Sequence, residues 1–459
     1  MPDQRNAPKT LAYPLQTPIA GPRDGSQLYG RKSALLAGLA GLAGLGLAGL
    51  GVSIAPDLLA SAASAPPRPA RPAVSRAVLR RLLTGTHDFG FDLFGQLVAQ
   101  PGAGTGNVFI SPFSIATALS MAYNGARGAT AAGMAATLKL NGLSLDQVNA
   151  GYATLLPLLT GADPAVRVDI ANSLWLRNGI TFDPAFLQRV GAAYGAQLTN
   201  LDFGAPHAGA AINAWVRAHT NGMIDGIVPD QLDPYALLYL LNAVYFKGQW
   251  TSTFDKTHTT PQPFSGAGGT SKTVPMMTQH GAFPYYQGPD YQAIELTYGA
   301  GKMGMVVVLP GAGISLARVQ ASLTAAGFDD LVSRLGASQG TISLPRFSVS
   351  YSATPNLNSP LSSLGMGRAF IRDAADFNAM FQSPPPAHLH ISEVAHKAVM
   401  RVDEEGTTAA AVTSVGGVTA TIAIREFSMV VDRPFFCAIR EHSSGAVLFM
   451  GQIADPETV

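Results

Sequence analysis

Nucleophiles and bases are plentiful in this chain, yet their spacing assembles no catalytic set. Nine histidines and many serines are present. No Gly-x-Ser-x-Gly turn presents a serine, however, and no His-Glu-x-x-His string presents a metal. His388 and His390 could share a metal ion from one face of a strand. They follow Pro384-Pro385-Pro386, which fits a solvated loop better. Asp403, Glu404 and Glu405 bring three carboxylates together, but adjacent side chains on an extended chain diverge, so paired acid–base work is not expected there. No glycine cradle for phosphate precedes a helix. The single cysteine, Cys437, lies in the apolar run 435–439. There it reads as a buried, inert thiol rather than a nucleophile, and alone it can form no intramolecular disulfide.

The residues just after the carboxylates are more informative. From Gly406 to Ile424 the nineteen residues read GTTAAAVTSVGGVTATIAI, with Glu404-Glu405 before them and Arg425-Glu426 after. A long exposed connection should be polar and rich in turn residues. This ribbon is instead small, β-branched and free of proline, with the composition of a strand that has no sheet. A segment suited to both exposed loop and buried strand is a switch element, and it places function in a change of fold rather than in an active site. If Thr407 points inward, so do Ala409, Ala411, Thr413, Val415 and Gly417 at the strand period of two. None is charged or bulky, and every residue keeps its amide N–H.

The elements that must position this ribbon follow from periodicity. Residues 82–99 carry apolar positions at helical spacing. Val108–Ile110 is a short apolar strand, and Ser114 is placed to cap a helix running to about Tyr123, before Gly125 and Gly128 break it. Residues 167–177 read as a strand and 180–194 as a helix. Residues 237–246, LLYLLNAVYF, form a nearly continuous apolar strand, expected in a sheet covered on both faces. Asn242 within it must find a buried partner. Further strands are expected at 304–309, 341–347, 398–402, 427–431 and 446–452. Helices early and strands late imply an α+β fold with large antiparallel or mixed sheets.

At 459 residues and 47% hydrophobic, the chain can bury one large domain plus extensions. Thirty basic and twenty-nine acidic residues leave a formal charge of +1, which argues against a nucleic-acid partner. Residues 1–65 read as a polar lead-in and export signal: Arg31-Lys32, an apolar run from Ser33 to Ile54, and small-residue cleavage sites at Ala60-Ser61-Ala62 or Ser61-Ala62-Ala63. The form is similar to a twin-arginine signal with Lys in the second place. Uncleaved, the run is long enough to serve as a membrane anchor. Residues 66–81 form a Pro/Ala-rich linker.

Several strings, in one order, resemble the serpin family. They are NVFISPFSIATALSMAYNGARGAT (107–130), LLNAVYFKGQW (240–250), EEGTTAAA (404–411) and VDRPFFCAI (431–439). INAWVRAHTNGMI (212–224), VPMM (274–277), LPRFSV (344–349) and LGMGRAF (364–370) extend the likeness, and ISEVAHKAVMRVDEEGTTAAA (391–411) continues it, so that it spans 82–457. Met223 departs from the family's usual Lys, with little consequence expected. The resemblance implies a serpin domain over 82–459: helices around three β-sheets, with an exposed reactive-centre loop at about 404–426. It implies no enzyme and no cofactor. The activity implied is inhibition of a serine protease, of elastase or subtilisin type given Val418-Thr419-Ala420, as a suicide substrate.

Counting sixteen residues from Glu404, taken as the family's hinge glutamate, places the reactive bond at Ala420-Thr421, with Ala423 the alternative. The hinge then comprises Glu404, Glu405, Gly406, Thr407, Thr408, Ala409, Ala410, Ala411 and Val412. By the same resemblance, Ser111, Ser114, Asn242 and His396 form a polar cluster where the main sheet opens. Trp250 and Arg346 belong to its upper opening, with Arg346 the partner of Glu404. The implied partner is one protease in a covalent 1:1 complex with a monomer, the membrane entering only through an uncleaved leader. A non-inhibitory serpin acting as a binding module, or an inhibitor of a cysteine protease, is the alternative.

Overall fold

The computed structural model describes residues 74–353, 356–383, 389–406 and 426–457. The leader, the His388 position, the reactive bond and the hinge beyond Gly406 lie outside the described residues. The strands, in chain order, are β1 (Val108–Ile110), β2 (Val166–Arg177), β3 (Gln197–Leu201), β4 (Leu238–Gly248), β5 (Thr260–Ser265), β6 (Ser271–Gln287) and β7 (Tyr291–Tyr298). They continue as β8 (Met303–Pro310), β9 (Gly336–Pro345), β10 (Phe347–Ser352), β11 (Glu393–Val402), β12 (Phe427–Val430), β13 (Phe435–Glu441) and β14 (Val447–Ile453). The principal helices are α1 (Arg76–Val98), α2 (Pro112–Tyr123), α3 (Gly128–Thr137), α4 (Leu145–Thr160), α5 (Pro184–Tyr194) and α6 (Ala208–His219).

A five-stranded sheet has the order β10-β11-β4-β2-β3. At its centre β4 and β11 are parallel neighbours, paired continuously from Tyr239↔Glu393 to Phe246↔Met400. Beyond them β2 is antiparallel to β4. The remaining described strands form a nine-stranded sheet. Within it the long β6 links two blocks, pairing with β5 and β9 along most of its length and with β7 only at Tyr285–Gln287. The three sheets expected from the resemblance are thus present as one separate sheet and two joined through β6.

Every residue of β4 is buried except Lys247. Leu240, Val244 and Phe246 face the main core shared with α1, α2, β8, β13 and β14. Tyr239, Leu241 and Ala243 face a smaller core with Ile212 and Val216 of α6. Coverage on both faces is what the unbroken apolar run of β4 requires. The helix α2 is buried from Pro112 to Ala122 because its sequence, PFSIATALSMAY, is small or apolar on every side.

Some boundaries differ from the sequence reading. The N-cap of α2 is Ser111, three residues before the expected cap Ser114, and its side chain accepts from Ser114 N–H; Pro112 takes the first helical position. Helix α5 begins only at Pro184, capped by Asp183. The expected 341–347 strand is two strands that break at Arg346, and β11 starts five residues before Ala398. Met223 is exposed. Among the described residues no helix is long and apolar enough to cross a membrane, and no group of three or more metal-ligating side chains exists.

Candidate functional site

The sheet's midpoint is polar where the sequence is apolar. Asn242 of β4 sits between Asn172 of β2 and His396 of β11, each directly across from it in register. Its amide nitrogen donates to Ser114 Oγ and, at 2.5 Å, to Asn172 Oδ1, while its Oδ1 lies 2.6 Å from His396 Nδ1. On the other side of the ring, Ser111 N–H donates to His396 Nε2 at 3.4 Å. These partners assign the imidazole: Nδ1 carries the proton and Nε2 accepts. Burial drives the His396 pKa down to about 3, the contact with Asn242 offsetting this only in part. The ring is therefore neutral at pH 7. One network ties α2, β2, β4 and β11 at the middle of the β4–β11 pair.

A second set lies at the upper end of the same two strands. After β11 the chain turns through Glu404 and Glu405, and Asp403 and Gly406 exchange backbone hydrogen bonds at 3.0 and 3.1 Å. Gly406 also forms an antiparallel bridge with Gln249, just past the end of β4. It therefore stands between the ends of β4 and β11 and pairs with both. Its φ is +107°, and a Cβ there would collide with Gly248 O and Trp250 N, so only glycine fits. The carboxylate of Glu404 is buried, accepting from Thr259 Oγ1 at 2.8 Å and from Arg346 Nη1 at 3.4 Å. Phe254 N–H donates to Glu404 O, and Lys256 Nζ pairs with Glu405 at 2.5 Å. Trp250 stacks on Tyr298 with ring centres 4.3 Å apart and donates its indole N–H to Asp403 O at 2.9 Å.

Both sets lie along the central parallel pair of one sheet, and the second ends at Gly406, where the proline-free ribbon begins in the sequence. The family model for serpins, described as serine protease inhibitors, matches residues 84–456. The chain belongs to the serpin family. An uncharacterized serpin-like protein of Thermococcus kodakarensis is 34% identical over 82% of this chain and 86% of its own length. The leukocyte elastase inhibitor of Homo sapiens is 33% identical over 82% of this chain and all of its own. The thermophilic serpin tengpin, solved in its native state, superposes with a TM-score of 0.75 at 30% identity, covering 83% of this chain and 95% of that one.

Serpins inhibit proteases rather than catalyse a reaction, and the family implies a target protease as partner. Cys437 agrees with a passive role, since it is fully buried and burial pushes its thiol up to about 12. In this serpin the structure brings together Ser111, Ser114, Asn242 and His396 at the midpoint. At the top it brings together Glu404, Glu405, Gly406, Trp250 and Arg346. Sequence reasoning missed Asn172, Thr259 and Tyr298. An asparagine inside the strand at 167–177 gave the same signal as Asn242 and called for the same question about a partner. Thr259 and Tyr298 lie in polar or mixed strings with no periodic signal.

Proposed function

We propose that this serpin inhibits a serine protease as a suicide substrate, by inserting its cut loop between β4 and β11. The protease attacks the carbonyl of Ala420 and forms an acyl-enzyme, releasing the amine of Thr421 as leaving group. The freed segment then enters the five-stranded sheet antiparallel to both neighbours, so one parallel pair becomes two antiparallel pairs, a pairing slightly more stable per residue.

One observation carries this reading: Gly406 already pairs with Gln249 on one side and Asp403 on the other. Continuing those two registers gives a single consistent answer, because β4 and β11 are themselves paired with the same offset. Thr407 would meet Gly248 and Val402, Ala409 would meet Phe246 and Met400, and Thr413 would fall between Asn242 and His396. The residues sharing that face, Thr407, Ala409, Ala411, Thr413 and Val415, are small, as are those between them, and they would point toward the main core with Val244 and Phe246. About a dozen new ladder hydrogen bonds, at roughly 0.5–1.5 kcal/mol net each, are worth on the order of 6–18 kcal/mol. The intact loop cannot collect this while both its ends are tethered. Insertion would carry the acylated protease to the far end of the sheet before water can release it.

Val418-Thr419-Ala420 suits a protease with a small apolar primary pocket, of elastase or subtilisin type. We further propose an extracytoplasmic protein whose residues 1–65 direct export, with retention as an anchor if they are not removed. Mixing with pancreatic elastase and with subtilisin tests the inhibitory reading. A 1:1 complex that survives denaturation, with Thr421 as the new N-terminus of the released fragment, is the expected result. A clipped loop with no stable complex would instead favour a non-inhibitory binding module.

A further inference from the structure

The hairpin between β13 and β14 holds a histidine whose ring meets two acceptors and, among the described residues, no donor. His442 Nδ1 lies 2.8 Å from Gly301 O, and its Nε2 lies 2.8 Å from Glu295 Oε1. A neutral imidazole has one N–H and can satisfy only one of them; the imidazolium satisfies both. Glu295, on β7, is buried and also meets Arg440 Nη1 of β13 at 3.3 Å. The neighbouring carboxylate of Glu441 is engaged by the backbone and hydroxyl groups of Ser443 and Ser444. Lys302 takes part through its carbonyl, which accepts from His442 N–H at 2.9 Å. From the other side, Asp163 accepts from Ala300 N–H at 2.8 Å.

The turn that His442 grips, residues 299–302, is fastened to the top of the five-stranded sheet. Gly299 N–H donates to Gln249 O at 2.7 Å, Thr251 N–H to Thr297 O at 2.8 Å, and Thr251 Oγ1 to Gly299 O at 3.0 Å. Trp250 stacks on Tyr298 at the start of the turn. Gln249 is the residue that pairs with Gly406. Hydrogen bonds joined by the backbone of the 299–301 turn therefore link the His442 ring to the Gln249–Gly406 bridge.

We propose that His442 is a proton-operated clamp on the upper end of the sheet, closed when its imidazole is charged and loosened when the proton leaves. The hydrogen bond and charge of Glu295 raise its pKa above the ordinary 6.5, against the opposing effects of burial and Arg440. With the folded value raised, the stabilisation is complete below pH 6.5 and is lost as pH rises through the folded pKa. The consequence for inhibition, an earlier release of the Gln249–Gly406 rung at alkaline pH, rests on the reading above; the clamp itself does not.

The test is made on the intact full chain without any protease, so failure of the inhibitory reading leaves it unaffected. The His442 ring is titrated by NMR, and backbone amide exchange at Gly299, Trp250 and Thr251 is followed across the same pH range, corrected for intrinsic exchange. The expected result is a midpoint above 6.5 and a loss of protection of about tenfold per unit of pKa shift at those amides, with Met305 in β8 unchanged. His442→Gln should hold the alkaline level of protection at every pH. A midpoint at or below 6.5, protection that is level across the titration, or a His442→Gln profile that keeps the wild-type pH dependence would overturn the proposal. The wild-type measurements decide it whether or not the variant folds.

Discussion

Asn242 uses both of its amide hydrogens and its carbonyl within one buried cluster, which makes it the residue with most to lose. Asn242→Ala strands the N–H of His396 and should cost about 1–3 kcal/mol for that buried donor alone. The prediction is a lower urea midpoint for the intact form, measured by fluorescence. His396 adds a pH dependence of its own. Its folded pKa, about 3, lies below the ordinary 6.5. The unfolded chain therefore binds the proton first, and stability falls as pH drops from 6.5 toward 3, by at most about 1.4 kcal/mol per pH unit. Unfolding midpoints at pH 7 and pH 4.5 should show this loss, and His396→Gln should reduce it. Asn242 was legible in the sequence because one amide interrupts an apolar strand. The pairing with Asn172 was not, since nothing in a single sequence says which two strands are neighbours.

Among the elements, β4 and β11 flank the proposed insertion site, and they were legible to different degrees. The apolar run of β4 declared a strand covered on both faces. The first half of β11, EVAHK, mixes charge with apolar residues, so only its apolar second half stood out. Strands β5 and β6 went unread because Pro261, Pro263, Pro275 and Pro284 interrupt them and their burial follows no strict alternation; β7 has no proline, but its burial does not alternate either. Proline is tolerated in β5 because that strand pairs with β6 alone among the described strands and so lies at an edge. The element-scale prediction concerns the proposed insertion between β4 and β11. Thr407→Arg would place a guanidinium among Gly248, Val402 and the core-facing side of the sheet, and burying an unpaired charge there is costly. Elastase should then cut this variant as a plain substrate, with several moles consumed per mole of protease inhibited. Wild-type stoichiometry would show that Thr407 does not enter the sheet.

For the whole molecule, the order of elements was foreseeable from strings spread along residues 82–457, whereas the continuity of two sheet blocks through β6 was not. The central claim is that the native chain is held in a less stable arrangement, with β4 and β11 paired directly and the stabilising strand outside the sheet. The most direct measurement compares the thermal unfolding of the intact chain with that of the chain cut at Ala420-Thr421 and freed of protease. At about 2 cal/mol/K of unfolding entropy per residue, 1 kcal/mol shifts the midpoint of a domain this large by roughly 1 °C, so insertion should raise it by about 10–20 °C. An equal or lower midpoint after cutting would contradict the account.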